Sequence, residues 1–147
     1  MQFDEQWVWD YIKDGIAKAF NTREWKTLFG GKKMAFYDEY AGFEPSFPCI
    51  YIEIENAIEP YEYHDSSHQE KYTEFNFTIE CYNQANERLT KTKLGRMINV
   101  RLKEVLMDLF NPHISENREL PSPDETIYRR IISGRSTIDN TNKIFYR

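Results

Sequence analysis

The sequence predicts an α+β fold: a single, mostly antiparallel sheet with two helices packed on one face, in the order α-β-β-β-α-β-β. Three observations carry this. The segment Glu74-Phe75-Asn76-Phe77-Thr78-Ile79-Glu80-Cys81 alternates polar and apolar without a break, and its Phe, Ile, Thr and Cys suit a pleated, half-buried surface. Downstream the period changes: Leu94, Ile98, Leu102, Val105 and Leu109 recur at steps of three or four, the stripe of a one-sided helix. Near the end, Asp139-Asn140-Thr141-Asn142 separates two strand-like runs, and short turns of that kind join antiparallel neighbours. The 147 residues show no internal repeat and no second domain, so one domain spans 1–147. A chain of this length buries roughly 70% of its unfolded surface.

The elements follow in order. Asp4 to Phe20 reads as a helix, because Phe3, Trp7, Val8, Tyr11, Ile12, Ile16, Ala19 and Phe20 fall on one broad face and Asp4 and Glu5 suit its positive end. Trp25, Leu28 and Phe29 are apolar but too few to assign, and Gly30-Gly31-Lys32-Lys33 is a turn. It is not a phosphate loop, since the spaced first glycine and the Ser or Thr after Lys are missing. Lys33 to Tyr40 reads as a strand, interrupted by Pro45 and Pro48, after which Ile50, Ile52 and Ile54 alternate with Tyr51, Glu53 and Glu55. Residues 56–71 lose the pattern and read as an extended hairpin arm. After the long helix, Asn111-Pro112 is a stop. His113 to Asp124, polar and carrying Pro121 and Pro123, reads as a surface loop. Thr126 to Ser133 resumes strand character, and Lys143 to Arg147 is a closing strand.

Charge is unevenly spread. The net charge of −5 argues against a protein whose main task is gripping a phosphate backbone. Glu53 to Glu80 holds eight acids and one base, Lys71, whereas Arg88 to Lys103 holds six bases and no acid. Two unlike patches on one subunit are what a head-to-tail contact between copies requires. An aromatic share of 16%, with Tyr51, Tyr61, Tyr63, Tyr72 and Tyr82 on or beside outward strand faces, fits an interface. Arg129 and Arg130 fall on opposite faces of one strand. The candidate interface residues are therefore Glu53, Glu55, Tyr61, Tyr63, Glu80, Arg88, Lys91, Lys93, Arg96, Arg129 and Arg130.

Catalytic chemistry is sparse. His64, Asp65 and His68 form the best metal candidate, yet they lie in the arm, where helical i,i+4 geometry is not given, and zinc needs at least three protein ligands. Cys81 lies on the apolar face of its strand, and Cys49 has no basic group near it in sequence, so both read as unreactive, reduced thiols. Glu53 and Glu55 share a strand face, but a catalytic pair needs a cleft. No cofactor fingerprint, membrane span or signal peptide is present, and the chain reads as a cytoplasmic product with no metal or cofactor. A small metal-assisted or carboxylate hydrolase using Glu53, Glu55, His64 and His68 is the alternative from another functional class.

The run Phe47-Pro48-Cys49-Ile50-Tyr51-Ile52-Glu53, the acidic arm, the strand Phe75 to Tyr82, the long helix and Thr126-Ile127-Tyr128-Arg129-Arg130 together resemble the small tail terminator (tail completion, or tail-to-head joining) proteins of long-tailed bacteriophages and prophages. The resemblance covers most of the chain beyond residue 30. It implies a non-enzymatic α+β subunit that assembles as a hexameric ring on the tail tube protein, stops tube growth and presents a surface to the head connector protein, with DNA only passing through. It carries no catalytic residues over. Another neck component, such as a head-completion protein, has the same general pattern. The stretch Glu59 to Lys71 departs from the family in being unusually acidic. An acidic inner wall of Glu53, Glu55 and Glu80 would let DNA slide, because it offers no cations to the phosphates.

Overall fold

The computed structural model describes residues 3–38, 45–56 and 71–146. Three helices, α1 (Glu5–Phe20), α2 (Arg23–Leu28) and α3 (Lys91–Phe110), pack against a six-stranded sheet. Its strands are β1 (Ala35–Tyr37), β2 (Cys49–Asn56), β3 (Tyr72–Gln84), β4 (His113–Leu120), β5 (Ile127–Asp139) and β6 (Ile144–Tyr146). The order across the sheet is β1-β2-β3-β5-β4, with β6 beside the last residues of β5. All pairings are antiparallel except β1 with β2, which is parallel.

The apolar alternation decides which face the helices cover. Ile50, Ile52 and Ile54 stand opposite Cys81, Ile79 and Phe77, all buried. On the other side of β3, Ile132 pairs with Ile79 and Ile138 with Thr73. Val8, Ile12, Ile16 and Phe20 of α1 and Leu94, Ile98, Leu102, Leu106 and Phe110 of α3 close the core from above. Phe75, Phe77 and Phe110 are its largest fully buried side chains, with Phe77 and Phe110 edge to face at 5.4 Å. The reverse face of the sheet carries no helix among the described residues.

Helix ends follow local chemistry. Asp4, Thr22 and Thr90 each accept a backbone N–H one turn on. Asn111 ends α3 with a left-handed φ of 43°, a conformation asparagine tolerates better than most residues. Trp9 Nε1 donates to the Ile52 carbonyl at 2.9 Å, one residue beyond the β1–β2 register, which ends at Tyr37 opposite Tyr51. Asn140 is fully buried and ties the β5–β6 turn to the start of β3, donating to Thr73 Oγ1 at 2.8 Å and, through its N–H, to the Lys71 carbonyl. The Asp139 carboxylate takes the N–H groups of Asn142 and Thr141, which hold its pKa below the usual value. That support is present above the carboxylate range and is lost as the pH falls through it.

Several expectations are corrected in detail. The tract from His113, read as a loop, begins with β4, an edge strand bonded to β5; none of its side chains is fully buried, so it needs little apolar alternation. Its pairing slips between Ile114 and Glu116, leaving a bulge at Ser115. The following strand does not end at Ser133 but runs on to Asp139. Three helices, not two, lie on the sheet, since Arg23–Leu28 forms α2, where Trp25 stacks edge to face on Phe20 at 4.7 Å. The arm expected at 56–71 falls, from residue 57 to 70, outside the described residues.

Gly134 belongs to the bulge. A Cβ built there would stand 2.0 Å from the His113 carbonyl oxygen, a backbone atom that cannot move without breaking the β4–β5 ladder. Gly134→Ala is expected to destabilise the fold by about 3 kcal/mol, the upper end of ordinary overpacking, in urea denaturation. A change under about 1 kcal/mol would mean that β4 moves aside freely.

Candidate functional site, the uncovered sheet face

Because strand side chains alternate, the register defines the uncovered face without ambiguity. Across it run Tyr51, Glu53 and Glu55 of β2; Glu74, Asn76, Thr78, Glu80 and Tyr82 of β3; Arg129, Ile131, Ser133 and Arg135 of β5; and Glu116, Arg118 and Leu120 of β4. At its centre lies a buried ion pair. Glu80 is 4% exposed although it points away from the helices, because Tyr51 and Ile131 stand directly opposite on the two flanking strands. Arg129 reaches it with Nε at 3.2 Å and with Nη2, and Tyr82 donates its hydroxyl at 3.1 Å. The guanidinium also lies 5.7 Å from the centre of the Tyr82 ring. Burial first, and then the Glu80 charge, push the Tyr82 phenol up from its ordinary pKa. This group is a rigid polar knot, and Glu80 offers no free negative charge at the surface.

The outer part of β2 differs. Glu53 and Glu55 stand two residues apart on the same side of the strand and are hydrogen-bonded to each other, which raises the Glu53 pKa above the usual carboxylate value, with partial burial as a further cause. Tyr51 donates to Glu53 at 3.4 Å. Among the described residues no Lys or Arg forms an ion pair with either carboxylate.

The predicted basic residues lie across the sheet on the helix side. Lys93, Arg96, Val100 and Lys103 recur at three and four along the outer face of α3, all exposed, and Val100 is 60% exposed. Arg96 meets Glu119 at 3.4 Å; Lys93 and Lys103 have no acidic partner among the described residues. Lys91 turns back to the Glu125 carbonyl, and Arg88 is exposed in the loop before Thr90. Arg130 points to the helix side, opposite in sense to Arg129 as expected, where it donates to Asn117 at 2.9 Å and to the Tyr128 hydroxyl at 3.1 Å. The described candidates therefore divide into Glu53 and Glu55 on the uncovered face, Glu80 with Arg129 within it, and, on the helix side, Lys91, Lys93 and Arg96 of α3, Arg88 ahead of it and Arg130 of β5. Tyr61 and Tyr63, like His64, Asp65 and His68, lie outside the described residues. Sequence reasoning missed exposed Val100, whose signal is an apolar residue out of phase with the buried stripe of α3.

The two thiols are separated by the sheet. Cys49 and Cys81 are free and buried and sit on opposite faces by register; burial pushes each up to about 12. Neither thiol is expected to react with iodoacetamide in the folded protein at pH 8, whereas both react in urea. Rapid native labelling, followed by mass spectrometry, would contradict this burial.

Fold and surface together define an α+β protein with a one-sided sheet and two unlike charged surfaces. Among the described residues no helix is long and apolar enough to cross a membrane. No family model matches the chain, and no curated protein matches it.

Proposed function

We propose that the chain is a structural ring subunit of a virion, a tail terminator of a long-tailed bacteriophage or prophage, which caps the tail tube, ends its growth and joins it to the head connector without performing a reaction. The carrying observation is the separation of unsatisfied charge. The Glu53/Glu55 pair on the uncovered face lacks a cation, and Lys93 and Lys103 on the outer face of α3 lack an acid among the described residues. Surfaces of opposite sign on opposite sides of one subunit are complementary between copies but not within one. That arrangement favours head-to-tail contacts, which form a ring where the rotation between neighbouring copies closes. The rigid Glu80–Arg129–Tyr82 knot between them keeps the face in one shape, and exposed Val100 gives the basic stripe an apolar centre. The resemblance of the strands around Cys49 and Phe77 to tail terminators supports the same reading.

The test is electron microscopy of tails assembled without this chain. Overlong tubes that never join heads are expected. Tails of normal length joined to heads would refute the reading.

A further inference from the structure

Where the start of β3 and the last strand share the uncovered face, two tyrosine rings meet. Tyr72 opens β3 and faces Asp139 across the ladder, while Tyr146 in β6 faces Thr137. Thr73 and Phe145 beside them are buried, so alternation turns both phenols to the helix-free side. Their strands flank β5 and run roughly 10 Å apart, and the two side chains lean toward each other over it. The ring centres are 5.3 Å apart with the planes at 75°, and the hydroxyls are hydrogen-bonded. Tyr72 is 44% and Tyr146 51% exposed, the most open tyrosines among the described residues.

The bond between the hydroxyls has a direction. Donation from Tyr146 first, and then from the Lys71 ammonium, holds the Tyr72 phenol below its ordinary pKa, and the same bond raises Tyr146, the donor. Lys71 Nζ also lies 5.1 Å from the centre of the Tyr72 ring. A phenolate gives up an electron more readily than a phenol, so this setting places more of Tyr72 in the oxidisable form at a given pH. Tyr11, Tyr51, Tyr82 and Tyr128 instead aim their hydroxyls at a carbonyl or a carboxylate.

We propose that Tyr72 and Tyr146 are the site of an oxidative cross-link, a dityrosine that ties the last strand to the start of β3 across β5. Each phenol yields one electron and its hydroxyl proton, and the unpaired spin spreads to the ring carbons beside the oxygen. One such carbon of each ring joins to form the new C–C bond. The hydrogen that each of these carbons carried moves to its own oxygen, which restores both phenols. In all, two C–H bonds break, one C–C bond forms, and two electrons and two protons leave. Hydrogen peroxide takes them through a haem peroxidase and becomes two molecules of water. Proximity favours this pair, because rings already in contact need no search for each other. β6 has three residues at the margin of the sheet, and coupling makes its attachment covalent. This chemistry does not depend on the ring reading above.

The experiment treats the dilute full chain with a haem peroxidase and limiting hydrogen peroxide, then maps the product by proteolysis and mass spectrometry. A monomeric product lighter by two hydrogen atoms and carrying dityrosine fluorescence is expected, with the peptide that bears Tyr72 joined to the one that bears Tyr146. Tyr72→Phe and Tyr146→Phe should each remove this product while keeping the fold, because phenylalanine retains the ring contact. The same treatment in urea should lower the share of this product severalfold, since only the folded chain holds the two rings together. Should either variant fail to fold, the native and urea maps decide alone. Coupling of other tyrosines in place of this pair, coupling only between copies in proportion to concentration, or an equal share of the product in urea overturns the proposal.

Discussion

Arg129→Met is expected to destabilise the protein by about 3–5 kcal/mol, the range for a buried ion pair robbed of one partner. The reason lies in the partner left behind. The Glu80 side chain is 5% exposed and Arg129 28%, so the carboxylate would lose the two donors of the guanidinium that reach it. A charge stranded in that setting is far costlier than the pair itself is favourable. The double replacement Glu80→Leu with Arg129→Met should therefore recover most of the loss, because it removes the charge along with its partner. Urea denaturation of the two variants reads both quantities. A single-variant loss under about 1 kcal/mol would mean that water reaches Glu80 as freely as it reaches an exposed surface pair.

On the tail-terminator reading proposed above, reversing the basic stripe, with Lys93→Glu, Arg96→Glu and Lys103→Glu together, is expected to abolish joining of tails to heads while leaving the melting temperature nearly unchanged. Exposed pairs contribute up to about 1 kcal/mol each, so three attractions converted to repulsions weaken each subunit contact by on the order of a hundredfold or more. The loss recurs at every contact of a ring. Adding Glu53→Lys and Glu55→Lys to the same chain should restore joining, since the two surfaces again have opposite sign. Counting joined particles by electron microscopy checks both variants. Restoration by the β2 changes separates a contact between copies from a simple loss of positive charge, and full joining by the α3 triple variant would refute the contact.

How far the sequence carries depends on what each element needs. Strands β2 and β3 and helices α1 and α3 bury one side, so Ile50, Ile52, Ile54, Phe75, Phe77, Val8, Ile12 and Leu102 must repeat at the period of their element, and they are legible. β4 needs no such pattern, because its polar side chains face solvent and its hydrogen bonds to β5 hold it. The second half of β5 hides behind Gly134, Ser136 and Thr137, small residues chosen by their neighbours across the ladder. α2 is six residues long, too short for a period to register. The same division holds for the candidate site. That Glu53, Glu55 and Arg129 lie on the face turned from the core follows from alternation alone. That Glu80 is sealed beneath Tyr51 and Ile131 follows from pairing with residues some 30 and 50 positions away, which no local pattern encodes.

On the ring reading proposed above, the bulge at Ser115 bears on how copies of this chain can meet. β4 is the longer exposed margin of the sheet, and a flat, apolar margin would invite a neighbour's strand to zip on and start a fibril. The kink, with Glu116, Arg118 and Glu119 beside it, makes that margin a poor template, so growth by continuous backbone pairing is discouraged. Subunit number is thereby left to side-chain surfaces of fixed angle, which can close and stop.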